Sequence, residues 1–174
     1  MQATIKLERT TKHTEHIVKN MFNAYFFDTA PYNDECVINE HGLPVADRPG
    51  SANPRTRDEC VGFNWWIRDQ CERYIVRVNA VLAGFAIILA DATHLPPAAD
   101  YELMDFFITP KYRRQGVGRL AARAVFDLHH GCWLVGELAR NVPAIRFWHS
   151  VIDEYTYGEY QDLENGTQQR FRNY

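Results

Sequence analysis

The sequence lacks the features of membrane, disulfide-stabilised and nucleic-acid-binding proteins. No apolar run approaches the roughly 20 residues that a transmembrane helix needs, and the first residues have no signal-peptide core. The four cysteines form no Cys-x-x-Cys pair, so we expect free thiols in a reducing compartment and no metal site. The net charge is −3, without a long basic run, which argues against nucleic acid as the main partner. These absences predict a cytoplasmic protein that binds no membrane, nucleic acid or metal.

The periodicity of apolar residues predicts one mixed α/β domain over residues 1–174. The predicted order is strand, helix, helix, three strands, helix, strand, helix and a closing hairpin over residues 155–160 and 168–172. Residues 58–73 predict the second helix. Residues 32–53 are rich in Gly, Pro, Asn and Asp and predict a long loop, with one short strand near residues 36–39. A loop of this length in a compact domain is more often functional than idle.

The most informative segment is residues 110–120, which read PKYRRQGVGRL. It follows an apolar strand pattern at residues 106–108 and leads into a helical pattern from Leu120. Glycines at the start of a helix let a ligand approach the free backbone N–H groups, and the positive end of the helix dipole favours an anion. Three arginines, Arg113, Arg114 and Arg119, are expected to add mobile positive charge. The segment therefore predicts a cradle for a pyrophosphate.

Two known phosphate-binding patterns fit this segment less well. A nucleotide-triphosphatase P-loop requires Lys and then Ser or Thr, but Arg119 and Leu120 occupy those positions. The dinucleotide fingerprint fits residues 116–121, and Glu137 stands where a ribose-binding acid is expected. Against it, residues 110–115 separate the strand from the first glycine, and the preceding strands look like an antiparallel hairpin. Dinucleotide binding remains an outside alternative.

The motif Arg113-x-x-Gly116-x-Gly118 resembles the coenzyme-A pyrophosphate loop of the GNAT acetyltransferase superfamily. Residues 108–113 resemble the strand end and proline turn that precede this loop. Residues 141–148 resemble the second signature of the family, an Asn followed by Ala and an aromatic pair. The resemblance implies a single-domain GNAT-like α/β fold. Its mixed central sheet of six or seven strands would be splayed at the cofactor site and flanked by helices.

The resemblance also implies acetyl-CoA as the cosubstrate. The pantetheine arm would lie between strand 103–109 and strand 133–137, paired with backbone groups around Phe107 and Ile108. Asn141 would bond the pantetheine or simply cap a helix, and both roles stay open. The cofactor-binding residues expected in this way are Phe107, Ile108, Arg113, Arg114, Gln115, Gly116, Val117, Gly118, Arg119, Asn141 and Phe147.

The implied reaction is direct attack of an amine on the thioester, which needs a base and an acid for the leaving thiolate. The candidate bases are Asp105, which lies in an apolar segment, and Glu102, with Glu137 as a third. Many relatives carry a tyrosine acid where this chain has Trp148, whose indole N–H is no matching proton donor. Either Tyr155, Tyr157 or His149 serves as the acid, or the thiolate leaves unassisted.

The expected acceptor site lies between the first helix and residue 70, with Tyr25, Trp65 and Trp66 as its aromatic walls. Acidic residues beside these aromatics suit an amine. The sequence thus predicts an N-acetyltransferase that acts on a primary amine of a small molecule through a ternary complex. The alternatives are a protein lysine or N-terminal acetyltransferase and a non-catalytic CoA-binding regulatory module. A homodimer is common in the resembled family, and the sequence leaves the oligomeric state open.

Overall fold

A computed structural model of the protein describes residues 4–65, 70–90, 93–96 and 98–174. A central sheet carries helices on both faces, and a separate two-stranded sheet lies in the segment between the first two helices. The helices and strands, in chain order, are β1 (Ile5–Arg9), α1 (Glu15–Thr29), β2 (Cys36–Ile38), β3 (Pro44–Ala46), α2 (Arg57–Trp65), β4 (Glu72–Val78), β5 (Val81–Leu89), β6 (Tyr101–Ile108), α3 (Val117–Phe126), β7 (Gly131–Gly136), α4 (Val142–Thr156), β8 (Tyr160–Leu163) and β9 (Gln168–Asn173).

The central sheet has seven strands in the order β1-β4-β5-β6-β7-β9-β8, and this mixed α/β architecture confirms the predicted fold class. Only the β6–β7 pair is parallel, and the other five pairs within the sheet are antiparallel. Antiparallel strands can be joined by tight turns, and β4 and β5 meet at Asn79 and Ala80, which both have positive φ. The parallel pair instead needs a crossover, which α3 provides.

Successive residues of β5 point to opposite faces of the sheet and seed two hydrophobic layers. Phe85 and Ile87 pack with side chains of α1 and α2, whereas Ala86 and Ile88 pack with side chains of α3 and α4. Since both faces are covered, β5 is buried from Ala83 to its end. The sheet is therefore a rigid support for anything bound at its strand ends.

Three predicted boundaries differ from the structure. The loop contains a second strand, β3, because Val37 and Val45 face each other in a hairpin. The second helix ends before Glu72, since residues 72 and 73 join β4 and pair with β5. The last helix runs on to Thr156, so Tyr155 is helical rather than part of the closing hairpin. In the first two cases pairing with a neighbouring strand outweighs local propensity.

The parallel pair β6–β7 parts after three residue pairs. Tyr101, Glu102 and Leu103 pair with residues 133–135 of β7, and beyond Leu103 the strand is paired only with β5. The β5–β6 register also shifts there, so that Met104 is an extra residue in β6. The sheet therefore opens a gap beside residues 104–108, and this gap leads to the start of α3.

Candidate active site

The start of α3 carries a set of unused backbone donors. The first helical hydrogen bond runs from the Leu120 N–H to the Gly116 oxygen, at 3.1 Å. In the part of the chain that the structure describes, the N–H groups of residues 114–119 have no hydrogen-bond acceptor, and no side chain caps the helix. Arg114 and Gly116 have φ of 61° and 79°, which turns these amides into a concave anion site. We call residues 114–119 the cradle.

The two glycines of the motif face different surroundings. A Cβ built on Gly116 would meet nothing within 4 Å, so the space in front of the cradle is open. A Cβ on Gly118 would lie 3.3 Å from two ring carbons of Phe147. Phe147 therefore packs directly against the helix that carries the cradle, and it also lines the cleft.

The backbone of β6 presents alternate residues to the gap. The Thr109 N–H donates to the Ala83 oxygen of the neighbouring chain segment, at 2.8 Å. Because backbone groups of an antiparallel pair alternate in direction, Phe107 also faces β5, while Phe106 and Ile108 face the gap. The sequence predicted Phe107 and Ile108 as the pairing residues. The structure places the backbone of Ile108 there, together with that of Phe106, which the prediction missed.

Two of the three arginines that were expected to be mobile are held by carboxylates. Arg113 makes two hydrogen bonds with Asp28, at 2.9 and 2.8 Å. Arg119 is paired with Glu154 and also donates to the Ser150 hydroxyl. Arg114 alone of the three makes no hydrogen bond or ion pair within the described ranges. The expectation of three mobile charges is therefore wrong for two of them, since their partners are distant in sequence.

Asn141 caps α4 in this structure. Its side-chain oxygen accepts a hydrogen bond from the Ala144 N–H at 3.1 Å, as is typical of a helix cap. Asn141 also lines the cleft. Of the two roles predicted for Asn141, the helix cap is seen in the structure. Contact with a pantetheine stays a prediction.

The gap and the cradle belong to one cleft of about 1180 Å³. This volume exceeds the roughly 300–1000 Å³ of ordinary small-molecule pockets and suits a long cofactor with a second ligand. Its walls come from the end of α1, from β6, the cradle, the end of β7, the start of α4 and the β8–β9 turn. Four carboxyl side chains, those of Asp28, Glu102, Glu137 and Glu164, line it together with the arginines.

Glu137 follows the last residue of β7 and lies on the wall of the gap opposite β6. Both carboxyl oxygens are buried and have no hydrogen-bond partner in the described chain. Burial raises the pKa of Glu137 to about 8; the nearby Gln169 side chain acts against this and the negative charge of Asp162 reinforces it. Burial, followed by the charge of Asp105, also raises the pKa of Glu102. The cleft thus contains two carboxyl groups that favour the protonated form.

The other predicted catalytic residues lie away from the cleft. Asp105 is 3% exposed, faces Ile87 of β5 across the ladder and is not among the residues that line the cleft. The Tyr155 hydroxyl donates to Asp127 at 2.8 Å and is also outside the lining. The longer α4 carries Tyr155 towards Asp127 at the end of α3, and its role as the acid stays a prediction. Trp148 lines the cleft but is only 6% exposed.

The two predicted acceptor residues that the structure describes, Tyr25 and Trp65, have different surroundings. Tyr25 lines the cleft from α1. Trp65 is 3% exposed and packs edge-on against Phe22, with its ring between Lys19 and Arg73. It is part of the core, so the structure does not support it as a cleft wall. Trp66 lies outside the described residues.

The described ranges contain neither a membrane-spanning helix nor a cluster of metal-binding side chains. No helix there is both long and apolar enough to cross a membrane. No group of three or more His, Cys, Asp or Glu side chains in those ranges is arranged to hold a metal ion.

Together, the open sheet and the cradle define a protein that holds an extended ligand with an anionic group at one end. The sequence profile described as "Acetyltransferase (GNAT) family" matches residues 40–151. The chain therefore belongs to the GNAT acetyltransferase family, whose cosubstrate is acetyl-CoA.

Solved structures support the fold. PH1933 from Pyrococcus horikoshii OT3 matches with a TM-score of 0.61 and 13% identity, over 98% of this chain and 99% of that chain. The yncA protein of Salmonella typhimurium, solved with its cofactor acetyl-CoA, matches with a TM-score of 0.55 and 16% identity over 97% and 94%. A mutant spermidine N-acetyltransferase from Vibrio cholerae matches with a TM-score of 0.52 and 14% identity, over 95% of this chain and 90% of that chain. A search of curated proteins finds no match.

Proposed function

We propose that this protein transfers the acetyl group of acetyl-CoA to a primary amine of a small molecule, by direct attack in a ternary complex. The observation that carries the proposal is the cradle, whose six unbonded amides open beside the unpaired edge of β6. An anion-binding helix start and an exposed strand edge are the two surfaces that a pyrophosphate with a pantetheine arm requires.

Several residues of the chain would hold this cosubstrate. The cradle amides and the unpartnered Arg114 would hold the pyrophosphate, and the open space at Gly116 admits it. The gap-facing backbone of Phe106 and Ile108 would pair with the pantetheine arm. Bound acetyl-CoA supplies an acetyl group activated as a thioester. An N–H on the gap side of β6, such as that of Ile108, would stabilise negative charge on the carbonyl oxygen during attack.

Glu137 is the residue that we assign as the base. It lines the cleft, the Gln169 side chain lies near its carboxyl group, and a pKa of about 8 suits a base that works near neutral pH. Its ionised form would accept the proton that the amine loses as its nitrogen bonds to carbon. Glu102 also lines the cleft and would accept a hydrogen bond from the neutral acceptor amine. Asp105, which does not line the cleft, is the less favoured base.

None of the three proton donors predicted for the thiolate, Tyr155, Tyr157 and His149, lines the cleft. The Tyr155 hydroxyl is engaged with Asp127, and Tyr157 is 93% exposed. Trp148 can donate a hydrogen bond but has no matching acidity. We therefore propose that the thiolate leaves unassisted and takes its proton from solvent.

The carboxyl and aromatic side chains of the cleft favour a small amine as the acceptor. The side chains of Asp28, Glu102, Glu137 and Glu164 line the cleft together with Tyr25 and Tyr32, and carboxyl groups and aromatic rings are both groups that bind amines. A spermidine N-acetyltransferase is among the proteins that share the fold, which agrees with this class without identifying the substrate. A protein acceptor would need an open groove instead.

The test is a thiol-release assay with acetyl-CoA, a panel of small amines that includes spermidine, and a lysine peptide. We expect turnover with at least one small amine and none with the peptide, and no activity in a folded Gly116→Asp variant. Calorimetry with acetyl-CoA accompanies the assay. Binding without turnover across the panel would favour a regulatory module, turnover only with the peptide would favour a protein acetyltransferase, and no binding would refute the cradle.

A further inference from the structure

We infer that Arg113 and Asp28 are positioning residues that join the acceptor side of the cleft to the cofactor strand. This inference rests on the proposed function, because it assigns the two sides of the cleft to acceptor and cofactor. It departs from the expectation that the first arginine of the motif binds phosphate. We call the pair Arg113–Asp28 the strut.

The Arg113 guanidinium lines the cleft and makes its hydrogen bonds in the described chain with Ile108 and Asp28. Its Nε donates to the Ile108 carbonyl at 2.6 Å, and its two terminal nitrogens donate to the two carboxylate oxygens of Asp28. Such a bidentate pair fixes the guanidinium plane as well as its charge. The Arg113 side chain therefore has its charge neutralised before any cofactor phosphate arrives.

The contact with Ile108 holds the part of β6 that faces the gap. The peptide between Ile108 and Thr109 is held at both ends, since Arg113 binds its carbonyl and Ala83 accepts from its N–H at 2.8 Å. A carbonyl that points into the gap without a partner would be free to tilt. The strut thus sets the orientation of the last gap-facing peptide of the cofactor strand.

The contact with Asp28 holds the last turn of α1. Tyr25 lies one turn earlier, lines the cleft, and packs edge-on against the Phe107 ring with a centroid distance of 6.1 Å. Arg113 lies over the same Phe107 ring, with its guanidinium carbon 5.4 Å from the centroid. The end of α1, the Phe107 ring and the Arg113 side chain therefore pack as one unit across the cleft.

The inference is tested first by hydrogen–deuterium exchange on the whole protein. Arg113→Gln and Asp28→Asn should each speed exchange in the last turn of α1. The double variant should add little, because residues of one unit are not additive. Asp28→Glu, which keeps the carboxylate, should restore much of the protection. If circular dichroism shows that one of these variants is poorly folded, exchange in the last turn of α1 is compared between Asp28→Glu and wild type instead.

The second test is acetyl-CoA binding by calorimetry at 50 and 300 mM NaCl, concentrations that differ severalfold in screening. For Arg113→Gln we expect a Kd within about threefold of wild type, as for loss of a partly exposed pair, and an unchanged salt dependence. Arg114→Gln is the matched control and should weaken binding and flatten the salt dependence. With an amine that the panel identifies, the strut variants should raise its KM more than the Kd of acetyl-CoA.

The outcomes separate this inference from the proposed function. If wild type does not bind acetyl-CoA, the proposed function fails, while exchange still reports whether the strut holds α1. If Arg113→Gln weakens acetyl-CoA binding as much as Arg114→Gln and leaves α1 protection unchanged, Arg113 is a phosphate ligand and the inference is overturned. Strictly additive exchange effects of Arg113→Gln and Asp28→Asn would also overturn it.

Discussion

Gly118 and Phe147 lie in direct contact, so that a Cβ on Gly118 would fall 3.3 Å from the Phe147 ring. One residue belongs to the cradle motif, and the other belongs to the aromatic pair on α4. The aromatic pair on α4 therefore helps to position the cradle, because the Phe147 ring limits how closely α3 and α4 approach. Loss of either residue should disturb the cradle.

Gly116 and Gly118 should respond differently to alanine. Gly118→Ala forces the Phe147 ring to shift, so we expect weaker acetyl-CoA binding and a lower melting temperature, with partial recovery in the double variant with Phe147→Leu. Gly116→Ala meets open space but must hold a φ of 79°, which costs about 1 kcal/mol of stability. Thermal melts and calorimetry measure both effects. A Gly118→Ala variant with wild-type values would show that the α4 ring adapts freely.

Gly116→Asp tests the cradle by charge. The new carboxylate would face the open space in front of the unbonded amides, where it repels a pyrophosphate and attracts the amides to itself. We expect a folded protein whose affinity for acetyl-CoA falls on the order of 100-fold, measured by calorimetry. Gly116→Asn, which is nearly isosteric and uncharged, is the matched control. Equal affinity of the aspartate and wild-type proteins would contradict the cradle.

Glu137→Gln should remove the base while keeping the shape of the side chain. We expect turnover to fall about 10²–10⁴-fold with a small change in the KM of the amine. In wild type, kcat/KM should rise with pH and level off above the pKa of about 8, because the ionised carboxylate is the active form. The Gln variant, assayed with the same amine, should lose this rise. A rise of equal size in both proteins would assign the titration to the amine.

The same residue predicts how stability depends on pH. Burial raises the folded-state pKa of Glu137 above the unfolded value, so the folded protein favours the protonated carboxyl. Its stabilising contribution is complete below the ordinary carboxyl pKa and is lost as pH rises through about 8. Relative to Glu137→Gln, wild type should therefore lose stability between pH 5 and pH 9. Denaturation midpoints of both proteins at these pH values provide the measurement.

Asp105→Asn should separate a buried structural carboxyl from a base. Asp105 is 3% exposed and does not line the cleft, so we expect lower thermal stability and little loss of turnover at saturating amine. The turnover of Asp105→Asn and of Glu137→Gln is measured in parallel from pH 6 to pH 9. A large fall in kcat for Asp105→Asn with normal kcat for Glu137→Gln would reverse the assignment of the base.

Trp148 should contribute packing rather than proton transfer. Its ring packs edge-on against Phe106 and Phe147, with centroid distances of 5.1 and 4.8 Å. Trp148→Ala should lower the free energy of unfolding by about 3–5 kcal/mol. Trp148→Phe keeps an aromatic ring and should retain turnover. Loss of turnover in a stable Phe variant would indicate that the indole N–H takes part in the reaction.

Sequence reasoning succeeded where a function resides in consecutive residues. The cradle is such a case, because glycine spacing and the start of a helix are local properties that determine where free amides lie. The alternation of strands and helices was readable for the same reason. The family resemblance then supplied the splay of β6 and β7, which the paired residues confirm.

The remaining errors concern partners that meet only in the folded chain. Asp28 lies 85 residues from Arg113, and no local pattern indicates that the two side chains pair. The bulge at Met104 and the direction of alternate peptides in β6 depend on the β5 register, which local periodicity does not give. Glu137 was the third of three candidate carboxylates in the sequence, and its buried position in the lining of the cleft is a property of the fold.

The parting of β6 from β7 also affects the protein in the absence of any ligand. Five consecutive residues of a central strand then have one edge without a strand partner, in a sheet whose other interior strands are paired on both sides. An unpaired edge is a template for other extended chains, including further copies of the same protein. A cosubstrate that occupies the gap would cover that edge, so we expect bound acetyl-CoA to lower any tendency of the protein to associate with itself.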